Sequence, residues 1–374
     1  MRVIEHREIY RDQRFHAAFP SIVRFGDDNL LLAFRRARDA MWLVPKEKRE
    51  GYDMFERMDH IDSRSHITLM ELDGSGCVKP GTTDFLPFNP EASDQDPSLL
   101  VLPGDDVLLA SFSYYPLPAD VDALLRGRAE TEDQKAGCRY LSWGCHTSLR
   151  GRHAGDWRFH HRFIEPDGGY GAWLGHTDRQ PRLGAVRGQP VRLGNELLLP
   201  VYWGVEEGSA LFASVDGGSS WRFKALIARD TAGVVTYQEP ALCPDGEGGL
   251  VCFCRTAGAN GRLATIRSRD GLHWNTPELH ELVGHPFHPL VLADGRVLLS
   301  YGYRNEPYGV RLRLLENAAA DPDDAEEVIV RDDGLCRDIG YPWGVQLSDD
   351  RVLLVYYWTN NEGMRGIEAS WLEI

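Results

Sequence analysis

The sequence predicts an all-β protein, a six-bladed β-propeller. The first observation behind this prediction is a repeated pattern of a proline, a short apolar run, a Gly/Asp/Asn turn and a second apolar run, as in PSLLVLPGDDVLLASF. Each copy is typical of a β-hairpin, and hairpins that recur at intervals of roughly 50 residues are typical of a propeller. The second observation is that aromatic residues fall at strand ends and turns rather than at helical spacing. The repeats begin at Pro20, Pro97, Pro190, Pro240, Pro289 and Pro342.

Each hairpin should form the two inner strands of a blade, with two outer strands after it. The segments SALFASVDGGSSWRF and RLATIRSRDGLHWNTP show such a second pair, joined by Ser-x-Asp turns at residues 214–221 and 268–274. In these turns we expect the Ser and Asp side chains to bond turn amides and the Trp to pack between neighbouring sheets. The turn residues are therefore interpreted as structural.

The last repeat is one strand short. Its hairpin is followed only by RGIEASWLEI, and the N-terminal segment RVIEHREIY can supply the missing outer strand and close the ring. A single β-propeller domain is thus predicted over residues 1–374. Two loop insertions, at about 36–65 and 114–138, should lie over one face as lids or rims.

Charge and composition exclude several classes of protein. The chain has 374 residues, 56 acidic and 41 basic, and its net charge of −15 argues against nucleic acid as a partner, because phosphate binding needs a basic face. The charged N-terminus shows no secretory signal, and no apolar stretch has the length of a membrane span. The seven cysteines, an odd number without paired spacing, are expected to be free thiols. A cytoplasmic protein is expected, although a secreted chain with its signal trimmed would have the same sequence.

The residue before each proline is a functional candidate, because the innermost strand of a blade starts beside the central axis. Five of these six residues are polar or ionisable, which packing alone would not favour. They are Phe19, Asp96, Gln189, Glu239, His288 and Tyr341. Fifteen residues after three of the prolines stand Arg35, Arg255 and Arg304. Guanidinium groups around one axis suit an anionic, sugar-like ligand, since they can bind a carboxylate bidentately.

The hairpin repeat, the Ser-x-Asp turns and the positions of Glu239, Arg255 and Tyr341 together resemble the sialidase (neuraminidase) superfamily of β-propeller glycoside hydrolases, whose turns are called Asp-boxes. The resemblance covers most of the chain. It implies that Tyr341, in IGYPWGVQL, is a nucleophile and that Glu239, in TYQEPALCP, assists it. It also implies that Arg255 holds the carboxylate of the substrate.

The same resemblance implies further residues of the site. The acid/base should be an aspartate in the loop MDHIDSRSH, either Asp59 or Asp62, with His60 between them. After the fifth hairpin, Arg311 in YGVRLRLLEN is the better match to another carboxylate-binding arginine, and Arg304 is a neighbouring candidate.

The first blade departs from the superfamily. Sialidases usually open this blade with Arg-Ile-Pro, whereas this chain has Ala18-Phe19-Pro20. One carboxylate-binding arginine is therefore missing from its usual place, and Arg35 would have to replace it from the other end of the hairpin. The implied substrate is an acidic sugar that need not be sialic acid.

The remaining candidates have alternative interpretations. Asp96 can be a second acid, a sugar-hydroxyl acceptor or the cap of a strand, and His288 can be a hydrogen-bond donor or a base. Gln189 and His60 are candidate substrate contacts, and His60 could equally stabilise its loop. His285 lies near His288, but two histidines without a clear third ligand are weak evidence for a metal. No metal and no cofactor is predicted.

The function predicted from these residues is an exo-acting glycoside hydrolase that releases a terminal acidic sugar from a glycan. Its partner would be an acidic oligosaccharide or glycoside, with no nucleic acid, no membrane and no predicted oligomeric state. One alternative is a polysaccharide lyase, in which Tyr341 with His288 or His60 would act on a uronate. The other is a non-catalytic binder of acidic glycans, which would need the arginines but neither Glu239 nor Tyr341.

Overall fold

The computed structural model describes residues 1–26, 28–55, 64–86, 92–116, 140–153, 156–164, 184–202, 208–348 and 350–374. These residues form six antiparallel sheets, one for each predicted repeat. The prediction of an all-β, six-bladed propeller is confirmed.

In the first three blades the strands are joined in chain order, so each hairpin is followed by its outer strands. Blade 1 contains β2 (Phe15–Phe25), β3 (Asn29–Arg38), β4 (His66–Asp73) and β5 (Asp84–Phe85). Blade 2 contains β6 (Ser93–Asp94), β7 (Ser98–Val101), β8 (Val107–Pro116), β9 (Tyr140–His153) and β10 (Asp156–Phe163). Blade 3 contains β11 (Val191–Leu193), β12 (Glu196–Tyr202), β13 (Ser209–Ser214) and β14 (Arg222–Ala228).

The next two blades repeat this arrangement with four strands each. Blade 4 contains β15 (Thr236–Pro244), β16 (Leu250–Ala257), β17 (Arg262–Ser268) and β18 (Glu278–Val283). Blade 5 contains β19 (His285–Val291), β20 (Val297–Tyr303), β21 (Tyr308–Leu315) and β22 (Glu327–Gly334). A short 3₁₀ helix, Pro322–Asp324, precedes β22.

The sixth blade joins the two ends of the chain. It contains β23 (Gly340–Ser348), β24 (Arg351–Thr359), β25 (Arg365–Glu373) and, at its outer edge, β1 (Arg2–Tyr10). β1 runs antiparallel to β25, from Arg2 opposite Glu373 to Tyr10 opposite Ile367. The predicted closure by the N-terminal strand is confirmed.

Apolar side chains of neighbouring blades fill the wedges between the sheets. The cluster between blades 6 and 1 includes Phe34, Trp343 and Trp371, all buried. Between blades 2 and 3, the buried Trp221 donates from its indole nitrogen to Thr147 Oγ1 at 3.3 Å. The Trp of a Ser-x-Asp turn therefore connects two sheets.

The turn that precedes Trp221 is held by its own side chains. The backbone amide of Ser220 donates to Asp216 Oδ1 at 2.9 Å, and the amide of Gly218 donates to Ser214 Oγ at 2.8 Å. Hydrogen bonds, chiefly from the Ser220 hydroxyl, lower the pKa of Asp216 to about 2. The Ser214 and Asp216 side chains thus accept hydrogen bonds from turn amides, as expected from the sequence.

The two predicted insertions begin later than expected, because the strands before them run further. β3 extends to Arg38, since Arg36 is still paired with strands on both sides. Two short 3₁₀ helices follow, Met41–Leu43 and Lys46–Lys48. β8 extends to Pro116, and the rest of the second insertion lies outside the described residues. That the chain is a single domain stays a prediction.

Two further sequence predictions concern thiols and membranes. Cys243, Cys252 and Cys254 are free and buried within strands of blade 4. In the part of the chain that the structure describes, no helix has both the length and the apolar character needed to cross a bilayer.

Candidate active site

Blades 1, 4 and 6 share a backbone irregularity within the inner strand, at the residue before the repeat proline. In each, the residue before the proline has a positive φ, which is 55° at Phe19, 50° at Glu239 and 51° at Tyr341. The strand register also shifts across each of these positions. Such β-bulges redirect side chains, while the left-handed conformation is unfavourable for a residue with a Cβ. Three equivalent positions therefore carry the same backbone strain, which is common at functional sites.

The three redirected side chains meet. Phe19, Glu239 and Tyr341 are 6%, 3% and 7% exposed, and the ring centroids of Phe19 and Tyr341 are 4.8 Å apart. The Tyr341 hydroxyl donates a hydrogen bond to Glu239 Oε1. Two residues 102 positions apart in the sequence are thus brought into direct contact by the ring of blades.

Arg255, near the end of β16, joins this pair. Its Nη1 donates to Glu239 Oε2 at 3.1 Å and to Tyr341 Oη at 3.4 Å. Burial raises the pKa of the Tyr341 phenol well above its usual range, and the charge of Glu239 adds to this effect. Burial also opposes ionisation of Glu239, but Arg255 and the hydrogen bond from Tyr341 outweigh it and lower the pKa of this carboxyl. At neutral pH the pair is a neutral phenol beside a carboxylate.

Arg304 directly follows β20, at the same place in blade 5. Its Cζ lies 5.1 Å from the centroid of the Tyr341 ring. Its Nη2 donates to Tyr357 Oη at 2.8 Å, and Tyr357 donates to Asp338 Oδ1 at 2.6 Å. Asp338 also pairs with Arg304 at 3.5 Å. The tyrosine and the carboxylate hold a second guanidinium group against the face of the phenol ring.

Comparison with known proteins is informative at the level of structure. No protein-family model and no curated protein sequence matches the chain. A Dyadobacter fermentans protein of unknown function is 29% identical, with a TM-score of 0.82 over 100% of this chain and 99% of that chain. The NanB sialidase of Streptococcus pneumoniae is 13% identical, with a TM-score of 0.67 over 98% of this chain and 70% of that one.

A third structure extends the comparison beyond bacteria. Trypanosoma rangeli sialidase is 13% identical, with a TM-score of 0.57 over 96% of this chain and 54% of that chain. Glu239, Tyr341 and Arg255 thus stand in a scaffold shared with sialidases. The chain has the fold of a sialidase-like propeller. At these identities the likeness to sialidases is one of fold.

The sialidase-like propeller places Asp96 within electrostatic range of the catalytic candidates. Asp96 is 4% exposed, and burial raises its pKa to about 7. Arg187 and Arg35 counteract this effect, whereas the charge of Glu239 adds to it. Glu239 and Asp96 are therefore two buried carboxyl groups whose pKa values are displaced in opposite directions.

Arg35 lies on the strand next to the position where the first blade lacks the expected arginine. Arg35 on β3 is directly opposite Ala18 on β2, and both are 0% exposed. Because cross-strand partners lie on the same face of a sheet, the small Ala18 leaves room for the Arg35 side chain. Arg35 acts electrostatically on Asp96 and counteracts the rise in the pKa of that carboxyl. That Arg35 takes the place of the missing arginine stays a prediction.

Two predicted substrate contacts take part in bonds within the protein. Gln189 Nε2 donates to the carbonyl oxygen of Leu99 at 2.9 Å, which links blade 3 to blade 2. Arg311 on β21 pairs with Glu327 on β22 at 2.5 Å, on the outer half of blade 5. In the described structure, Arg304 rather than Arg311 has the contact with Tyr341.

The two histidines of blade 5 are both uncharged at neutral pH. His288 is buried and stacks on Trp343 with 4.4 Å between centroids; burial and the charge of Arg187 lower its pKa to about 3. Burial and the charges of Arg255 and Arg304 lower the pKa of His285 to about 3 as well. The predicted Asp59, His60 and Asp62 lie outside the residues that the structure describes.

One group of metal-ligand type occurs among the described residues, and it lies on the outer part of blades 4 and 5: His280, Asp321 and Asp323. His280 Nδ1 is 3.2 Å from Asp321 Oδ1 and 3.5 Å from Asp323 Oδ2. Asp323 also accepts the backbone amides of Glu281 and Leu282 on β18. These contacts attach the loop that contains Asp321 and Asp323 to β18.

Two residues of the site were not predicted from the sequence, the buried Arg187 and the partly exposed Asp338. Arg187 lies two residues before the predicted Gln189, in a segment that does not follow the hairpin pattern. Asp338 lies in the connection to β23, three residues before Tyr341. The only available signal was a charged residue close to a repeat proline, in AVRGQP and CRDIGYP.

Proposed function

We propose that this sialidase-like propeller is an exo-acting glycoside hydrolase that releases a terminal acidic sugar from a glycan. The observation that carries this proposal is the buried hydrogen bond from the Tyr341 hydroxyl to Glu239, with Arg255 bound to the same carboxylate. A glycosidase-like fold shared with sialidases supports it. A nucleophile and its base within hydrogen-bond reach are what covalent catalysis requires.

In the proposed first step, the Tyr341 oxygen attacks the anomeric carbon of the sugar. The phenol proton passes to Glu239 as the bond to the sugar forms, and the glycosidic bond breaks. An aspartate, Asp59 or Asp62 by resemblance to sialidases, donates a proton to the departing oxygen. In the second step water attacks the same carbon and the bond between that carbon and the Tyr341 oxygen breaks. The aspartate removes a proton from the water, and Glu239 returns its proton to the tyrosine oxygen.

The electrostatics of the pair support this division of roles. The raised pKa of Tyr341 keeps the phenol protonated in the free enzyme, so it does not repel an anionic substrate. The lowered pKa of Glu239 keeps the carboxylate ready to accept that proton. Arg255 and Arg304, which both favour ionisation of Tyr341, would stabilise negative charge on the oxygen and attract the carboxylate of the substrate.

Replacing Tyr341 with phenylalanine tests the assignment. We expect Tyr341→Phe to lower kcat by on the order of 10³-fold or more, as removal of a nucleophile does, while unfolding and ligand binding change little. Tyr301→Phe is the matched control, because Tyr301 is also buried and donates to a glutamate, Glu327, at 2.6 Å in blade 5. Full activity of Tyr341→Phe would contradict the role of the nucleophile.

One assay separates the proposed hydrolase from the two alternatives. The protein is incubated with sialylated and uronate-containing oligosaccharides, and reducing-sugar release is followed together with the absorbance of unsaturated uronate. Release without absorbance supports a hydrolase, and a gain of absorbance indicates a lyase. Binding without either signal indicates a non-catalytic glycan-binding propeller.

A further inference from the structure

Arg187, in the segment that leads into blade 3, binds the backbone at the β-bulges of two other blades. It is only 2% exposed. Its Nη2 donates to the carbonyl oxygen of Tyr341 at 3.0 Å and to that of Pro20 at 3.2 Å. One of these carbonyls belongs to the redirected residue of blade 6, and the other to the residue that follows Phe19 in blade 1. A single guanidinium group thus binds the backbone at two of the three bulges.

The neighbouring residue, Gly188, reaches the third bulge. A Cβ atom at Gly188 would lie 2.0 Å from the carbonyl oxygen of Pro240, the residue after Glu239. A contact this close is open only to glycine, which has no Cβ. Arg187 and Gly188 together therefore contact the backbone at all three β-bulges, in blades 1, 4 and 6.

The Arg187 side chain also lies against the catalytic ring. Its Cζ is 5.0 Å from the ring centroid of Tyr341 and 5.1 Å from that of Trp343, within the range of a cation–π contact. Since a left-handed backbone is unfavourable at tyrosine, contacts on both its carbonyl and its ring are the kind of restraint that holds it in place. The planar guanidinium can make both contacts at once.

We propose that Arg187 is the positioning residue of the catalytic pair. By binding the Tyr341 carbonyl and packing on its ring, it holds the phenol in the direction that meets Glu239. This role is distinct from that of Arg255 and Arg304, because Arg187 acts through the backbone of the nucleophile. The inference rests on the proposed function for its effect on turnover, but its geometric content does not.

Arg187→Met and Arg187→Lys test the proposal, and Arg24→Met provides a matched control. Arg24 of blade 1 also donates from Nη2 to two carbonyls of β23, those of Gln346 at 3.3 Å and Leu347 at 2.7 Å. It therefore resembles Arg187 in what it binds, at the opposite end of β23 from Tyr341. Any general loosening of blade 6 should occur in Arg24→Met as well.

We expect Arg187→Met to lower kcat by about 10²-fold, the usual cost of misplacing a reacting group by about 1 Å, with KM changed by less than about 3-fold. The substrates are the 4-methylumbelliferyl glycosides of N-acetylneuraminic acid and of glucuronic acid. Arg187→Lys should recover part of kcat, since one donor and the charge remain, and Arg24→Met should keep full kcat. An unchanged kcat in Arg187→Met, or an equal loss in Arg24→Met, would overturn the positioning role.

Crystal structures of the two Arg187 variants give a result that does not depend on turnover. In Arg187→Met we expect either that the hydrogen bond from the Tyr341 hydroxyl to Glu239 is lost or that the φ of Tyr341 leaves the left-handed region. In Arg24→Met we expect neither change. An intact contact and φ in Arg187→Met would refute the inference. If the wild-type protein cleaves neither glycoside but the displacement is observed, the proposed function fails for these sugars and the positioning role stands. Should Arg187→Met not fold, Arg187→Lys carries the comparison.

Discussion

At the scale of single residues, the site contains two buried carboxyl groups with opposite tendencies. The pKa of Glu239 is lowered because Arg255 and the Tyr341 hydroxyl bind its charged form. The pKa of Asp96 is raised to about 7, chiefly by burial, which outweighs the opposing charges of Arg187 and Arg35. Environments that separate two carboxyl pKa values usually assign them different tasks. Here one group is prepared to accept a proton and the other retains its own until about neutral pH.

The raised pKa of Asp96 predicts how stability depends on pH. The folded state holds this proton more tightly than the unfolded chain, so the contribution of Asp96 to folding falls as pH rises from about 4 to about 7. In Asp96→Asn this dependence is absent. The free energy of unfolding of the variant minus that of wild type should therefore increase over that range, by on the order of 4 kcal/mol.

Urea unfolding at a series of pH values checks this prediction. Asp106→Asn is a suitable control, because Asp106 is exposed in the hairpin turn of the same blade. A difference between Asp96→Asn and wild type that stays constant with pH would mean that Asp96 is ionised in the folded protein throughout.

At the scale of strands and turns, much of the site followed from the repeat. Glu239 and Tyr341 occupy the same position in two copies of one hairpin, so the sequence could predict that they face a common axis. The bulge that brings them into contact was not predicted, because a residue before proline is expected to be extended with a negative φ, whereas φ is 50° at Glu239 and 51° at Tyr341.

Other members of the site depend on contacts that no single element contains. Arg187 lies outside the hairpin pattern, and its partners belong to blades 1 and 6. Asp338 binds Arg304 and Tyr357, which come from two different blades. Arg311 matched the superfamily by order along the chain, yet its side chain pairs with Glu327 across neighbouring strands. Such long-range contacts are set by the packing of blades and are not readable from one segment.

The close approach of Gly188 to the β-bulge of blade 4 provides a testable prediction. Gly188→Ala should displace the backbone next to Glu239, because the added Cβ would lie 2.0 Å from the Pro240 carbonyl oxygen. We expect a loss of stability of about 1–3 kcal/mol, as for other overpacked sites, together with a fall in turnover. Thermal unfolding and kcat measure the two effects.

The control for Gly188→Ala is Gly194→Ala in the hairpin turn of the same blade. Gly194 has a φ of +61° and no atom within 4 Å of an added Cβ. Its substitution should cost about 1 kcal/mol through backbone strain alone and leave turnover unaffected. Equal losses of turnover in the two variants would show that Gly188 has no special connection with the site.

At the scale of the whole molecule, the ring is held closed by hydrogen bonds between its two ends. β1 is mostly exposed, but Val3, Ile9 and Tyr10 pack against the core clusters, so it contributes both by pairing with β25 and by covering apolar surface. Deleting residues 1–10 should lower Tm and promote self-association, because the edge of β25 becomes free to pair with other chains. Calorimetry and size-exclusion chromatography measure both effects.

Glu5→Ala, which keeps the strand and removes one partly exposed charge that pairs with Arg7, is the control for this deletion. A truncated protein that stays monomeric with an unchanged Tm would show that the sixth blade is complete with three strands.

The prediction of closure from the sequence succeeded because the last repeat was visibly one strand short, which is a property of the whole chain and of no single repeat.

The shared bulge before Pro20, Pro240 and Pro342 also bears on how such a protein can acquire new chemistry. The backbone directs each of these side chains inward, whatever the residue type, as the presence of Phe, Glu and Tyr at equivalent positions illustrates. A library that varies only residues 19, 239 and 341 would therefore exchange reactive groups while the six sheets stay constant. Selection acting on three codons could move this scaffold from one reaction to another.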